Sequence, residues 1–456
     1  MRLATGAHAT VCSVTATSRK INLSEQVAAR LAPLLPRHSH ILIGLSGGLD
    51  SVVLLHLLHT LAPRLDCRLS ALHVHHGISP NADAWAHFCV ELCAQLHIPL
   101  HIEHVDIAPL RNEHGVEAAA RKLRHAAFTN QDCDFVALAH HADDQAETLL
   151  LQLLRGAGIK GIAAMGYINR TERHALVRPL LDCSRAELLV YARQNELSWV
   201  EDESNSDEHY PRNFLRHQML PLLQQKFPAY RDTLLRSARH FAEAAELLDD
   251  LAQQDAAQAM HDDTLRVDAL RSLSPARAKN LLRYFLHIRG APMPQTSQLD
   301  AMLRQLLTAR ADAMVCIDYG GWQVRRYQDH VHALLALGDF DSGLVMSWNG
   351  EAELEWPALN ARLYFAKLLG VGISLKKLHG AALTLRLRNG KERLRPHPGA
   401  STRSLKNLLQ ENRVPPWQRQ RLPLLYCGDE LVSVVGVAIR AEYQAQQDEE
   451  SVLVSL

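Results

Sequence analysis

This sequence of 456 residues lacks several features, and each absence excludes a class of protein. No apolar run approaches the roughly 18 residues that span a bilayer, and residues 1–20 lack the continuous apolar segment of a signal peptide. The eight cysteines include no Cys-x-x-Cys pair and no spacing typical of a secreted domain. Basic and acidic residues number 49 each, so no overall field attracts the chain to nucleic acid or to an anionic membrane. We therefore predict a cytoplasmic protein with reduced thiols, no membrane partner, and nucleic-acid contacts confined to local patches.

The chain is too long for one ordinary core, and its patterns change along its length. Residues 22–227 alternate short apolar runs with longer amphipathic stretches, which is typical of strand–helix units that feed a parallel sheet. We predict an α/β domain there, with a Rossmann-like parallel sheet and helices on both faces. Residues 228–262 contain almost no helix breakers and predict a linker helix. We predict two smaller α+β domains at 263–340 and 370–456, and a loose extension at 1–21. The extension lacks acidic residues, so an organelle-targeting segment is the alternative interpretation there.

A glycine turn follows the first predicted strand, Ile41–Ile43, and leads directly into a predicted helix. Such a turn directs backbone N–H groups and the positive end of the helix at one point, which suits a phosphate or pyrophosphate group. Asp50 would repel a bare anion, so its presence indicates a magnesium ion shared between carboxylate and phosphates. The alternative is a turn in which the glycines only make room for packing. The predicted nucleotide-binding residues are Ser46, Gly47, Gly48, Leu49, Asp50 and Ser51.

A second polar segment, residues 139–148, has the sequence Ala-His-His-Ala-Asp-Asp-Gln-Ala-Glu-Thr and lies where a predicted strand ends and a helix begins. Ligands of open parallel sheets bind at this edge. Asp144 and Glu147 are three residues apart and share one helix face, so they are candidates to hold a metal or an ammonium group. We name Asp50 and Asp144 as candidate magnesium ligands. The alternative is a capped helix whose acidic first turn is solvated.

Together the two segments resemble the N-type ATP pyrophosphatases, which cleave ATP between its α and β phosphates and pass AMP to an oxygen atom. Residues 139–148 further resemble the tRNA(Ile)-lysidine synthetase family and its relatives, the tRNA thiolation enzymes. The resemblance to the synthetases covers residues 40–225 and resumes at Ser404–Pro423. The other segments that carry it are Val74–Gly77, Ala119–Arg124, Arg178–Leu181, Glu201–Asn205 and Tyr210–Asn213.

The resemblance implies ATP-dependent ligation of L-lysine to C2 of the wobble cytidine of tRNA(Ile) with a CAU anticodon. Its implied intermediate is an O2-adenylated cytidine, its co-substrate is ATP, its metal is magnesium, and its other products are AMP and pyrophosphate. Arg121 and Arg212, together with Arg124, are candidates to counter phosphate charge, since a guanidinium binds two oxygens at once. Four further residues are candidates to bind lysine or the metal and to accept the proton, and the sequence does not divide these roles among them. They are His140, Asp143, Asp144 and Glu147.

Two other activities stay open on the sequence alone. A tRNA thiolation enzyme would require a reactive cysteine pair or an iron–sulfur ligand set, and Cys89 and Cys93 lie among apolar residues instead. A non-catalytic nucleotide-binding protein would bind ATP without releasing pyrophosphate, and it would leave the acidic helix unexplained.

Positive charge concentrates in residues 376–421, where the resemblance implies tRNA binding. The alternative is a solvated basic face. The sequence leaves open whether the protein is a monomer or a homodimer. The candidate tRNA-binding residues are Lys406, Arg413, Trp417, Arg419 and Arg421, with Trp417 offering a stacking face.

Overall fold

The computed structural model describes residues 22–456 except 110–115, 172, 204–206, 311–312 and 379. The predicted extension at 1–21 lies outside the described residues, as do Ser204 and Asn205 of one segment that carries the resemblance. The chain divides within a 30-residue helix, Tyr230–Ala259, into a first unit that ends at Leu248 and a second that begins at Asp249. No helix in the described part of the chain is long and apolar enough to cross a membrane.

The first unit is built around a six-stranded sheet with the order β3-β2-β1-β4-β6-β5. All neighbouring strands are parallel except β5, which pairs antiparallel with β6 at the edge. The predicted α/β fold with a parallel sheet is therefore confirmed. The strands are β1 (Ser39–Gly44), β2 (Cys67–His75), β3 (Leu100–His104), β4 (Phe135–Ala137), β5 (Ile168–Arg170) and β6 (Ala175–Val177).

Helices cover both faces of this sheet because its central strands are apolar on both faces. Ile41 and Ile43 of β1 belong to a core built largely with the helix that follows this strand, while Leu42 packs on the opposite face with Phe128. The helices are α1 (Leu23–Leu31), α2 (Leu49–Leu65), α3 (Ala82–Gln95), α4 (Val116–Thr129), α5 (Ala142–Leu154), α6 (Ile159–Ile162), α7 (Arg185–Gln194), α8 (Pro211–Phe214), a π-helix (Leu215–Met219), α9 (Leu220–Lys226) and α10 (Tyr230–Ala259).

The strand order places two loops side by side. The chain runs from β1 outward to β2 and β3, and then returns to form β4 on the other side of β1. The carboxyl ends of β1 and β4 therefore flank the point where the strand order reverses, which is where open α/β sheets bind ligands. Ser46–Ser51 follows β1, and residues 138–141 follow β4, so both predicted motifs meet at this edge.

The second unit contains antiparallel sheets. The first sheet has the order β7-β8-β11-β10-β9 and packs against helices around Leu265 and Phe285. Its elements are β7 (Met260–His261), β8 (Thr264–Arg266), α11 (Val267–Ser272), α12 (Pro275–Ile288), α13 (Thr296–Thr308), β9 (Val315–Tyr319), β10 (Trp322–Tyr327) and β11 (His330–Leu335).

The remaining strands form two sheets with the orders β12-β16-β19-β20-β21 and β13-β14-β22-β15, and a separate pair β17-β18. Segments between the two predicted small domains join these sheets, since β12 pairs with β16 and β14 with β22. The domain boundaries themselves stay a prediction. The elements are β12 (Val345–Ser347), β13 (Glu353–Trp356), β14 (Ala361–Leu369), β15 (Ile373–Ser374), β16 (Leu383–Arg386), β17 (Arg393–Leu394), β18 (Arg403–Ser404), α14 (Leu405–Glu411), α15 (Pro416–Arg419), β19 (Leu424–Cys427), β20 (Glu430–Val434), β21 (Ala438–Ile439) and β22 (Glu450–Ser455), with 3-10 turns at Pro357–Leu359, Leu375–Leu378 and Ala441–Tyr443.

Candidate active site

The predicted phosphate loop forms a tight turn between β1 and α2. Gly47 has a φ of +86°, and a Cβ atom there would lie 2.9 Å from Cγ2 of Val200, so both the conformation and the space require glycine. The hydroxyl of Ser51 donates to the carbonyl oxygen of Gly48 (2.9 Å) and accepts from the N–H of Ser46 (3.2 Å). Gly48 precedes α2 and has no side chain to cap it, so the first N–H groups of the helix stay available to an anion.

Asp50, on the first turn of α2, faces the loop that follows β4 across a buried histidine. The side chain of His141 is 2% exposed, and its Nε2 lies 3.5 Å from Oδ2 of Asp50 and 3.5 Å from Oδ2 of Asp144. Burial by itself lowers the pKa of His141, but its hydrogen bond to Asp50 and the charges of Asp144, Asp50 and Asp143 outweigh burial and raise that pKa. His141 therefore carries a proton more readily than a free histidine and links the two predicted motifs.

The predicted acidic pair on α5 is engaged by two arginines. The side chain of Glu147 is 1% exposed, and its carboxylate accepts from Nε of Arg212 (2.6 Å) and Nε of Arg216 (2.7 Å). Oδ1 of Asp144 accepts from Nη2 of Arg212 at 2.8 Å, and the N–H of His141 donates to Oδ2 of Asp144 at 3.0 Å. Burial raises the pKa of Asp144, but the charges of His141 and Arg212 outweigh it and lower that pKa. The structure thus brings Asp144, Glu147 and Arg212 together, with the acids paired to guanidinium groups.

Asp143 points away from this ion cluster. Its carboxylate accepts from Nε of Arg231 (2.7 Å), near the start of α10, and from the N–H of Arg185 (2.8 Å), at the start of α7. Asp143 therefore ties three helices together, although its Oδ2 also lies 3.7 Å from Nδ1 of His141.

His140, the other histidine of the segment, lies in a basic environment. Its Nδ1 accepts from Nε of Arg178 at 3.3 Å, and Arg178 also donates to the carbonyl oxygen of Gly166 at 2.6 Å. Burial, together with the charges of Arg178, Arg212 and Arg121, lowers the pKa of His140 to about 3 against the opposing charge of Asp144. Arg121 is exposed on α4, and its charge adds to burial in lowering the pKa of Arg178 to about 10. His140 is neutral at ordinary pH, and Arg121 and Arg178 stand beside it as positive charges.

A magnesium ion would find one suitable oxygen here. Oδ1 of Asp50 is buried and has no hydrogen-bond partner among the described residues, which fits a cation ligand. Both oxygens of Asp144 are already engaged by Arg212 and His141. Across the described part of the chain, no group of three or more histidine, cysteine or acidic side chains could hold a metal ion. A metal at Asp50 would therefore require further oxygens from the nucleotide.

Three residues of this site are absent from the predicted set. They are His141, whose neighbour His140 is in the predicted set, and the two arginines Arg178 and Arg216. Arg216 follows Arg212 by four residues on a helical stretch, a spacing that could have indicated a second guanidinium for the same acid.

Cys89 and Cys93 do not form a reactive pair. Cys89 and Cys93 lie buried on α3. Burial and the charge of Cys93 raise the pKa of Cys89 to about 12, and burial raises the pKa of Cys93 to about 11. The seven cysteines that the structure describes are all free thiols. This arrangement does not favour thiolation chemistry.

The predicted tRNA-binding residues divide into two groups in the second unit. Lys406 on α14 and Arg413, two residues after that helix and with a φ of +54°, are exposed. Trp417, Arg419 and Arg421 instead contact neighbouring strands and loops of the same unit.

The phosphate loop at the reversal point of a parallel sheet, with an acidic cluster opposite, defines the class of PP-loop proteins, and the family model of the PP-loop domain matches residues 19–223. Models of the TilS substrate binding domain and the TilS substrate C-terminal domain match residues 265–332 and 383–456. The chain belongs to the tRNA(Ile)-lysidine synthase family, as the resemblance predicts. Relatives with that name include proteins of Nitrosomonas europaea (44% identical, 91% of each chain covered), Azoarcus sp. strain BH72 (42%, 91% of each) and Coxiella burnetii (39%, 91% of this chain and 92% of the relative).

Proposed function

We propose that this protein is a carbon–nitrogen ligase that joins L-lysine to C2 of the wobble cytidine of tRNA(Ile) with a CAU anticodon. The reaction consumes ATP and releases AMP and pyrophosphate. The observation that carries the proposal is the juxtaposition of the phosphate loop with Asp50, His141 and Asp144 at one sheet edge, in a chain that belongs to the lysidine synthase family. ATP and tRNA are both found in the cytoplasm, where we place the protein.

In the first step, O2 of the cytosine attacks the α-phosphorus of ATP and pyrophosphate leaves. The N–H groups at the start of α2 and the hydroxyl of Ser46 receive the leaving pyrophosphate. Arg121 and Arg212 counter the charge that develops on the phosphates, and the buried guanidinium of Arg178 adds to them. Magnesium held by Asp50 would neutralise phosphate charge when bound. Catalysis in this step is mainly positioning and electrostatic stabilisation.

In the second step, the ε-amine of lysine attacks C2 of the adenylated cytidine and AMP departs. The amine must lose a proton, and an effective base has a pKa near the working pH. We assign this role to His141, whose Nε2 lies 3.5 Å from the carboxylates of Asp50 and Asp144, rather than to His140, because burial lowers the pKa of His140 to about 3. Before ATP binds, Asp144 and Glu147 hold Arg212 in place.

The second unit binds the tRNA at a site distant from the reactive base. Lys406 and Arg413 are exposed, and their side chains make no ion pair with another described residue, so they are free to contact phosphates. We propose that they bind the backbone of the tRNA.

The test is incubation of the full chain with ATP, radiolabelled lysine and unmodified tRNA(Ile) bearing the CAU anticodon. Label is expected to enter the tRNA only when all three are present. A transcript with uridine at the wobble position is the matched control and should remain unlabelled. Pyrophosphate release that is indifferent to lysine and tRNA would sink the proposal.

A further inference from the structure

Trp417 lies at a contact between two sheets of the second unit. It belongs to α15, which follows α14 after residues 412–415, and its indole packs on strands β10 and β11 of the preceding sheet. The ring centroids of Trp417 and His332 are 5.2 Å apart, and those of Trp417 and Tyr327 are 6.2 Å apart, both edge to face. The guanidinium of Arg325 lies over the indole face at 5.0 Å. The indole of Trp417 therefore makes two aromatic contacts and one cation–π contact within the protein.

Arg419 reaches the same strand from the next turn. Its Nη2 donates to the hydroxyl of Tyr327 at 2.8 Å, and its Nε donates to the carbonyl oxygen of Val414 at 2.8 Å. Its guanidinium also lies 5.7 Å from the centre of the Tyr327 ring. Arg419 thus joins β10 to the segment that follows α14.

Arg421 fastens the connection between β11 and β12. Its Nη2 donates to the carbonyl oxygen of Gly338 (2.7 Å) and its Nη1 to that of Ala358 (2.9 Å), while its guanidinium stacks over Phe340 at 4.2 Å. The indole N–H of Trp356, a buried core residue, donates to the backbone carbonyl of Arg421 at 2.7 Å. Each end of this arginine is therefore held by a different part of the second unit.

These contacts separate two kinds of basic residue. Within the part of the chain that the structure describes, two donors of Arg419 and two of Arg421 are directed at carbonyl oxygens and a phenol rather than at carboxylates. Lys406 and Arg413 lie on the neighbouring helix and its end, and both are exposed.

We propose that Trp417, Arg419 and Arg421 form a clasp that fixes the sheet β7–β11 to the C-terminal sheets. The clasp sets the position of α14 for tRNA and does not itself bind the tRNA. This inference rests on the proposed function, in which tRNA is the substrate. A protein that contacts one ligand through two surfaces binds it more tightly when the spacing of those surfaces is fixed in advance. Loss of the clasp therefore weakens tRNA binding without removing a phosphate contact.

The first test is the salt dependence of tRNA affinity. Removing a side chain that contacts a phosphate reduces the slope of log Kd against log salt by about 1. Lys406→Ala and Arg413→Met are expected to reduce the slope in this way. Trp417→Ala and Arg419→Met are expected to raise Kd about tenfold with an unchanged slope. Arg413→Met and Arg419→Met are matched controls of each other, and a slope that falls by about 1 in Arg419→Met would overturn the clasp.

The second test requires no tRNA. Hydrogen exchange is measured by mass spectrometry on the full chain, in peptides covering β10 and β11, the two strands that Trp417 contacts. Trp417→Ala is expected to speed exchange there at least tenfold, because opening of the contact exposes these amides, while Trp417→Phe and Lys406→Ala leave it near wild type. Exchange in β1 serves as the folding control. Unchanged hydrogen exchange in Trp417→Ala would refute the clasp, whatever the effect on tRNA binding. A failure of the proposed function would instead show as unchanged tRNA affinity in Lys406→Ala and Arg413→Met.

Discussion

The ion cluster around Glu147 allows a quantitative expectation for the change Glu147→Gln. Glutamine keeps the shape of the side chain, but it removes the negative charge and turns an amide N–H toward the guanidinium groups of Arg212 and Arg216. Breaking a buried ion pair from one side typically costs about 3–5 kcal/mol. The two arginine side chains are 26% and 27% exposed and retain Asp144 as a partner, so we expect the lower end, about 3 kcal/mol. A unit of this size loses roughly 2–4 °C in Tm for each kcal/mol, which gives a decrease of about 6–12 °C.

Scanning calorimetry of the full chain measures this decrease in the transition of the first unit. Glu91→Gln is the matched control, because Glu91 is exposed on α3 and its replacement is expected to change the free energy of unfolding by less than about 0.5 kcal/mol. Arg216→Met combined with Glu147→Gln should cost less than the two single changes added together, since they share one interaction. A Tm for Glu147→Gln within about 1 °C of that of Glu91→Gln would refute the reasoning, since it corresponds to less than about 0.5 kcal/mol.

Three further predictions concern the loop and the histidines. Gly47→Ala is expected to abolish ATP binding by titration calorimetry because of its φ of +86° and the contact with Val200, and wild-type affinity would contradict this. Asp50→Asn is expected to slow adenylation by at least about 100-fold if it holds magnesium, and near-normal pyrophosphate release would remove it from the site. Because burial holds the pKa of His140 near 3, below the unfolded value of about 6.5, its contribution to stability is complete above pH 6.5 and is lost as pH falls. The pKa of His141 is raised instead, so the contribution of His141 to stability is lost as pH rises above 6.5. A plot of Tm against pH should therefore become flatter on the acid side in His140→Asn and on the alkaline side in His141→Gln. Unaltered plots would contradict both assignments.

The sequence was informative where structure is local. The apolar run Ile41–Ile43 and the glycines after it predicted both a strand and a phosphate loop, because strand burial and a positive φ each depend on a few neighbouring residues. Periodicity could not choose between His140 and His141, since the loop after β4 is irregular and its direction depends on how the chain leaves the sheet. His141 caps α5 in an extended conformation and faces Asp50, while its neighbour faces Arg178.

Long-range contacts explain the other differences. Arg216 lies in a five-residue π-helix, a rare conformation that the pattern of apolar residues does not predict, and it meets Glu147 from 69 residues away in the chain. The contacts of Trp417 with β10 and β11 depend likewise on how two sheets pack, which no spacing within residues 376–421 reveals.

The pairing of Asp144 and Glu147 with arginines has a consequence for the order of substrate binding. An incoming lysine ammonium would have to compete with Arg212 for Oδ1 of Asp144, and a guanidinium already held at 2.8 Å by a buried acid is a strong competitor. Phosphate groups in the loop would attract Arg212 and free that oxygen, so lysine should bind weakly to the protein alone and at least about tenfold more tightly once a non-hydrolysable ATP analogue is bound. Titration calorimetry with lysine, in the presence and absence of the analogue, measures this coupling, and Arg212→Met should remove most of it. Equal lysine affinities in the two states would show that lysine is held elsewhere, and that the acidic pair serves only to position the arginines.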